Sequence, residues 1–156
     1  MTIDDLLARE AIRDLVARYN SYGDTGKFDL LWPLFTDDAV MDVGPTRGQR
    51  RIHTGIEDVK QIFLGAQDRV HDQDERAATT YIRHFTATHQ IDLVDAEHAT
   101  GRCYFVVIIG NAVEPGGVDH WGRYVDEYAR VDGTWKFASR RVYVDGAVAT
   151  SWFATD

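Results

Sequence analysis

One cysteine, three prolines and no long apolar run in 156 residues each close off a class of structure. Cys103 has no partner for an internal disulfide, and beside the apolar run Tyr104 to Ile109 it reads as a buried structural thiol. A bilayer span needs about 18 to 20 apolar residues in succession, and none occurs. The opening Met1-Thr2-Ile3-Asp4-Asp5 lacks the basic start and apolar core of a secretory signal, so a soluble, cytoplasmic protein is expected. Basic residues are also scarce, 17 against 25 acidic for a net charge of −8. That balance repels phosphate backbones, so neither nucleic acid nor a membrane is an expected partner. Repeats, low-complexity tracts and Pro/Ser-rich linkers are missing too, and with 44% apolar residues the chain reads as one domain over 1–156.

What is present has a clear order. Thr2 with Asp5 three residues on resembles a capping box, and Leu6, Leu7, Ile12, Leu15, Val16 and Tyr19 recur at helical spacing, predicting a helix over 3–22. Gly23 and Gly26 bracket Asp24 and mark a turn. A second apolar segment, Phe28 to Phe35, is limited by Pro33. Thr36-Asp37-Asp38 closes it, Ala39 to Val43 reads as a short strand, and Gly55 to Phe63 as a third helix. Residues 70–78, carrying His71-Asp72-Gln73-Asp74-Glu75, read as an exposed loop or lid. Four long strands follow: 80–94, 99–111, 118–131 and 134–144. Asp132-Gly133 suits a type I′ hairpin turn, Glu114-Pro115-Gly116-Gly117 a longer loop, and Asp95 to His98 a third connection. Helices first and a strand meander afterwards predict an α+β fold.

The six histidines, at 53, 71, 84, 89, 98 and 120, do not have metal-site spacing. There is no His-x-His, His-Glu-x-x-His or cysteine cluster, and no phosphate loop or Gly-x-Ser-x-Gly elbow. No metal and no cofactor are expected.

Several pieces together resemble the SnoaL-like branch of the nuclear transport factor 2 superfamily: Tyr19-Asn20-Ser21-Tyr22-Gly23-Asp24, Leu34-Phe35-Thr36-Asp37-Asp38-Ala39-Val40, Ile82-Arg83-His84-Phe85, Gly122-Arg123-Tyr124, and Asp132-Gly133-Thr134-Trp135-Lys136-Phe137 leading to Arg140. The resemblance covers nearly the whole chain. It implies three N-terminal helices packed in a strongly curved, mainly antiparallel sheet, a cone-shaped α+β barrel around a cavity. Within that family, hexachlorocyclohexane dehydrochlorinase and the scytalone and bile-acid dehydratases place an Asp after the first helix and a His on the first long strand, and Asp24 and His84 match both. The resemblance implies that His84 is a general base oriented by Asp24, that Arg140 matches a pocket arginine, and that Tyr19 matches a catalytic tyrosine. Where scytalone dehydratase carries a second histidine on the next strand, this chain has the apolar stretch Val106 to Ile109.

The implied activity is a cofactor-independent lyase, a dehydratase or dehydrohalogenase, acting on a hydrophobic small molecule. An isomerase or cyclase using the same base, or a non-catalytic ligand-binding or assembly module, remain as alternatives. Tyr22, Phe28, Trp32, Tyr81 and Phe105 are candidate cavity-lining residues, each equally at home in a core. By the same token Asp24 could cap the following helix, His84 could be a hydrogen-bonded strand histidine, and Arg140 could be a surface cation or a salt-bridge partner.

Strand parity sets one puzzle. His84 shares a side with Ile82, Thr86 and Thr88, whereas Phe85, Ala87, Ile91 and Leu93 face the other way. Either a β-bulge switches sides partway or both faces are covered. Coverage of both is the reading favoured, and it predicts a homo-oligomer, trimer or dimer, with Trp135 and Phe137 either interface contributors or, equally, plain exposed or core aromatics.

Overall fold

The computed structural model describes residues 1–71, 79–111, 116–151 and 153. Helix α1 (Ile3–Asp24) starts at the expected capping box: the Asp5 N–H donates to Thr2 Oγ1 at 3.1 Å, and the Thr2 N–H donates to the Asp5 carboxylate at 2.7 Å. Ile12, Leu15, Val16 and Tyr19 form its buried stripe. Gly26, in the left-handed region at φ +66°, turns the chain into the short α2 (Phe28–Leu31), which tightens into a 3₁₀ turn over Trp32–Leu34 at Pro33.

Strand β1 (Phe35–Pro45) is longer than expected at both ends and takes in Asp37 and Asp38, both exposed on it. The short β2 (Arg51–Thr54) had no sequence signal, and α3 (Ile56–His71) runs eight residues past Phe63. Of the expected loop over 70–78, Val70 and His71 finish α3, and 72–78 lie outside the described residues. Strands β3 (Thr79–Leu93), β4 (His98–Asn111), β5 (Gly117–Val131) and β6 (Thr134–Ala147) match the predicted meander. Both Asp132 and Gly133 have positive φ, as a type I′ turn requires. Of the expected Glu114 to Gly117 loop, Gly117 opens β5, and Glu114 and Pro115 lie outside the described residues.

The sheet has six strands in the order β2-β1-β6-β5-β4-β3. Only β1 and β6 are parallel; the other pairs are antiparallel. With β2 and β3 as free edges the sheet is open, so the barrel is not closed. The helices lie against one face: Tyr19 on α1 meets the rings of Phe35, Phe63, Tyr124 and Phe137 at 5.4 to 6.1 Å, joining α1, α3 and three strands in one aromatic core. Among the described residues no helix is long and apolar enough to cross a membrane.

A bulge resolves the parity puzzle. The β3–β4 register shifts between Ala87 and Gln90, where Thr88 has φ +54°. Ile82 and His84 face the helices before it; Ile91, only 3% exposed, does so after it. A second shift between β5 and β6, around Ala138, puts Arg140 on the inner face with Phe137. Trp135 and Phe137 are therefore core residues rather than interface residues, because they face the helices. The outer face instead exposes large side chains that include Phe85, Tyr104 and Trp121, on three adjacent strands.

Candidate active site

Asp24 is the last residue of α1, and His84 lies on the inner side of β3 before its bulge. One carboxylate oxygen of Asp24 lies 2.5 Å from His84 Nδ1, and the other accepts the His84 backbone N–H at 2.9 Å. This two-point contact fixes the imidazole's position. It also assigns the ring proton to Nδ1 and leaves the Nε2 lone pair free, with no hydrogen-bond partner among the described residues. Asp24 does not cap α2, whose N-cap is Lys27 with no side-chain cap bond. The negative end of the α1 dipole is an unfavourable place for a carboxylate, so the bonds from His84 hold it there against that field.

Both residues line a cavity of about 710 Å³ between the helices and the sheet. Tyr19, Phe28 and Phe105 line it as well, with Phe63, Ile82 and Tyr124 adding apolar wall. Phe105 stacks on Tyr124 with centroids 4.6 Å apart. Burial raises the Tyr19 hydroxyl's pKa, against the lowering pull of the Arg140 charge, so Tyr19 can donate a hydrogen bond but does not ionise near neutrality. Asn20 also lines the cavity, and its amide oxygen has no partner among the described residues.

Four expected site residues lie elsewhere. Tyr22 points to Arg18, its hydroxyl 3.4 Å from Nη1. Trp32 stacks behind Phe28 at 5.2 Å, so it supports the wall without forming it. Tyr81 is over a third exposed on the edge strand, with the Arg83 guanidinium over its ring. Arg140 is fully buried and does not line the cavity. The bulge turns it inward, but Asp126 sits opposite on β5 and takes it: Nε donates to Oδ1 at 2.9 Å and Nη2 to Oδ2 at 2.7 Å. The rings of Tyr19, Tyr124 and Phe137 pack 4.1 to 4.2 Å from its guanidinium.

His120 was missed by the sequence reading. It is 5% exposed and lines the same cavity from β5. His84, Val107 and His120 form one row across β3, β4 and β5, and the two imidazoles lean together to 6.3 Å between centroids. His120 Nδ1 lies 2.7 Å from the Asp119 carboxylate, which also accepts the Ser151 hydroxyl at 2.6 Å. The signal available was the adjacency of Asp119 and His120 and the shared parity of His120 with Gly122 and Tyr124. A histidine two strands away from His84 could be recognised as its neighbour only once the register was known. Burial and the nearby His84 lower the His120 pKa, and Asp119 opposes them. Cys103 is buried as expected, its pKa pushed up to about 11 by that burial. No cluster among the described residues could hold a metal ion.

Residues 4–141 match the SnoaL-like domain. The chain belongs to the SnoaL-like family. No curated protein sequence matches it. Among solved structures, this SnoaL-like chain is similar to a scytalone dehydratase-like protein of Novosphingobium aromaticivorans, at 24% identity and TM-score 0.77, over 100% of this chain and 96% of the other. The hexachlorocyclohexane dehydrochlorinase LinA Type2 aligns at 20% identity and TM-score 0.71, over 98% and 97% of the two chains. A protein of unknown function from Mycobacterium tuberculosis aligns at 24% identity and TM-score 0.73, over 96% and 84%. At these identities the likeness is one of fold.

Proposed function

We propose that this SnoaL-like protein is a lyase that eliminates a group from a hydrophobic small molecule without a cofactor, with His84 as general base. The observation that carries the reading is the 2.5 Å contact between the Asp24 carboxylate and His84 Nδ1, made at the wall of a largely apolar cavity that includes several aromatic rings. A carboxylate on Nδ1 stabilises the imidazolium that forms when Nε2 takes a proton. The aromatic wall favours a flat or ring-shaped substrate. Tyr19, protonated and facing the cavity, supplies a donor for charge developing on a substrate oxygen. The folds of the dehydratase-like and dehydrochlorinase neighbours support the same class of reaction. The exposed aromatic face at Phe85, Tyr104 and Trp121 supports a further proposal, that copies of the chain self-associate through the outer side of the sheet.

The test is to incubate wild type and His84→Ala with a panel of hydroxylated and halogenated apolar ring ketones and to read product mass. Elimination gives loss of water or hydrogen halide, and His84→Ala is expected to abolish it. Conservation of mass would instead indicate the isomerase or cyclase alternative, and full activity in His84→Ala would remove the base reading.

A further inference from the structure

We propose that His120 is the acid of this elimination, so that the group expelled is a hydroxyl and the reaction is a dehydration. The inference rests on the reading of His84 as base and adds the leaving group to it. A halide departs without a proton, whereas hydroxide is too basic to leave unless one is supplied. A second imidazole 6.3 Å from the first, in the same cavity, has chemical work to do only in the second case.

The second histidine is built into the fold. Asp119 holds His120 Nδ1, Ser151 holds Asp119, and the Phe153 ring packs on the imidazole at 4.6 Å. Those contacts fix the ring with Nδ1 turned away. Nε2 has no hydrogen-bond partner among the described residues and is not among the fully enclosed polar atoms without one. It is therefore free to meet a ligand.

The placement of the arginines favours a hydroxyl. The buried arginine that could receive a departing halide is paired through Nε and Nη2 with Asp126 and lies outside the cavity wall, and its Nη1 is enclosed, without a hydrogen-bond partner among the described residues. The arginines that do line the cavity, Arg47 and Arg51, are solvent-exposed residues on its β1–β2 side.

The step balances on these groups. His84 Nε2 takes a proton from carbon, and the C–H pair becomes the second bond of the alkene. The C–O bond breaks with its pair on oxygen, His120 Nε2–H protonates that oxygen, and water leaves. The departing water can carry the proton from His84 back to His120, so the pair starts each cycle holding one proton. The groups facing His120 are Asp119 and Tyr124 on its own strand and His84 on β3 with Asp24 behind it; Phe105, Ser151 and Phe153 are uncharged. Their net effect, with burial, makes the imidazolium a stronger acid than an ordinary histidine. Turnover of a hydroxylated substrate should then fall as pH rises through that depressed value, below the ordinary 6.5.

The experiment compares 4-hydroxy-4-phenylbutan-2-one with its 4-chloro counterpart, both of which give the same conjugated enone, followed by its ultraviolet absorbance above the uncatalysed rate. The expectation is that His120→Gln loses about 100-fold or more in kcat on the hydroxy ketone and no more than about 3-fold on the chloro ketone. The fall of rate with rising pH should be confined to the hydroxy ketone. Asp119→Asn should show the same selectivity in weaker form, which serves if the glutamine variant folds poorly. An equal loss on both probes, no loss on the hydroxy ketone, or wild-type turnover of the chloro ketone alone would overturn the proposal, as would turnover of neither. His84→Gln judges the underlying reading separately: it should lose activity on both probes, and retained activity there would remove the base itself.

Discussion

Replacing Arg140 by Met separates two accounts of that residue. The Arg140–Asp126 pair is fully buried on both sides, and the methionine would remove both charge-assisted bonds, at 2.9 and 2.7 Å. Asp126 would keep only the Tyr128 hydroxyl, at 2.8 Å. A carboxylate left so in an aromatic core costs about 3 to 5 kcal/mol. Loss of the cation from above three rings pulls the same way, and methionine, which packs well against aromatics, returns part of that. We take about 4 kcal/mol as the expected loss, a large share of the roughly 5 to 15 kcal/mol typical of a domain. With a urea m-value of about 2 kcal/mol/M, the unfolding midpoint falls by about 2 M. The double variant Arg140→Met with Asp126→Leu removes the stranded charge, while Tyr128 can turn its hydroxyl to His89 Nε2, 3.3 Å away. That variant should return to within about 1 to 2 kcal/mol of wild type. Equilibrium urea unfolding by tryptophan fluorescence measures all three proteins. A loss under about 1 kcal/mol in the single variant would refute the assignment of Arg140 to the core. Such a result, with a large loss of turnover, would return the arginine to the pocket.

Asp24→Asn should lower kcat in the elimination assay by about 10³ to 10⁴, because the amide leaves one acceptor where His84 presents two donors and favours the wrong ring tautomer; a loss under tenfold would show that the carboxylate does not orient the base. Gly122→Ala should cost about 2 to 3 kcal/mol in urea unfolding, since a Cβ there runs into the Tyr143 backbone carbonyl and comes within 3.0 Å of the Phe105 ring. His89 and His120 both have pKa values lowered, chiefly by burial. The unfolded chain therefore takes up protons first as pH falls through about 6.5, and stability should drop between pH 7.5 and 5.5, with a smaller drop in the double variant His89→Gln, His120→Gln. Trp121→Glu, on the exposed outer face, should lower the mass measured by light scattering if copies associate there, and an unchanged oligomer would move the interface elsewhere.

The helix stripe, the cap at Thr2, the hairpin at Asp132-Gly133 and the four-strand meander were legible because each is written in local chemistry: period 3.6, a side chain bonding three residues on, two positive φ values, period 2. Strand β2 was not, because four residues with exposed ends carry no periodic signal and pair only because β1 is beside them. Asp24 and His84 could be named from the resemblance, yet their contact spans 60 positions and depends on where α1 stops.

The rest of the site turned on register. A strand read with strict alternation puts Ile91 on the side opposite His84 and Arg140 opposite Phe137, and the structure puts each pair on one side. One extra residue at Thr88 and one near Ala138 make the difference, and neither position differs in composition from an ordinary strand. The same two bulges set the chemistry of the inner face. The first lets a polar half of β3 present His84 to the cavity while its far half fills the core with Ile91. The second brings Arg140 inward, where Asp126 neutralises it and keeps it from the cavity. With the guanidinium withdrawn, the ionisable groups at the wall nearest the base, among the described residues, are Asp24, the two imidazoles and the phenols of Tyr19 and Tyr124. A wall of that kind handles protons better than it handles anions, which is why a hydroxyl fits it better than a halide as the group that leaves.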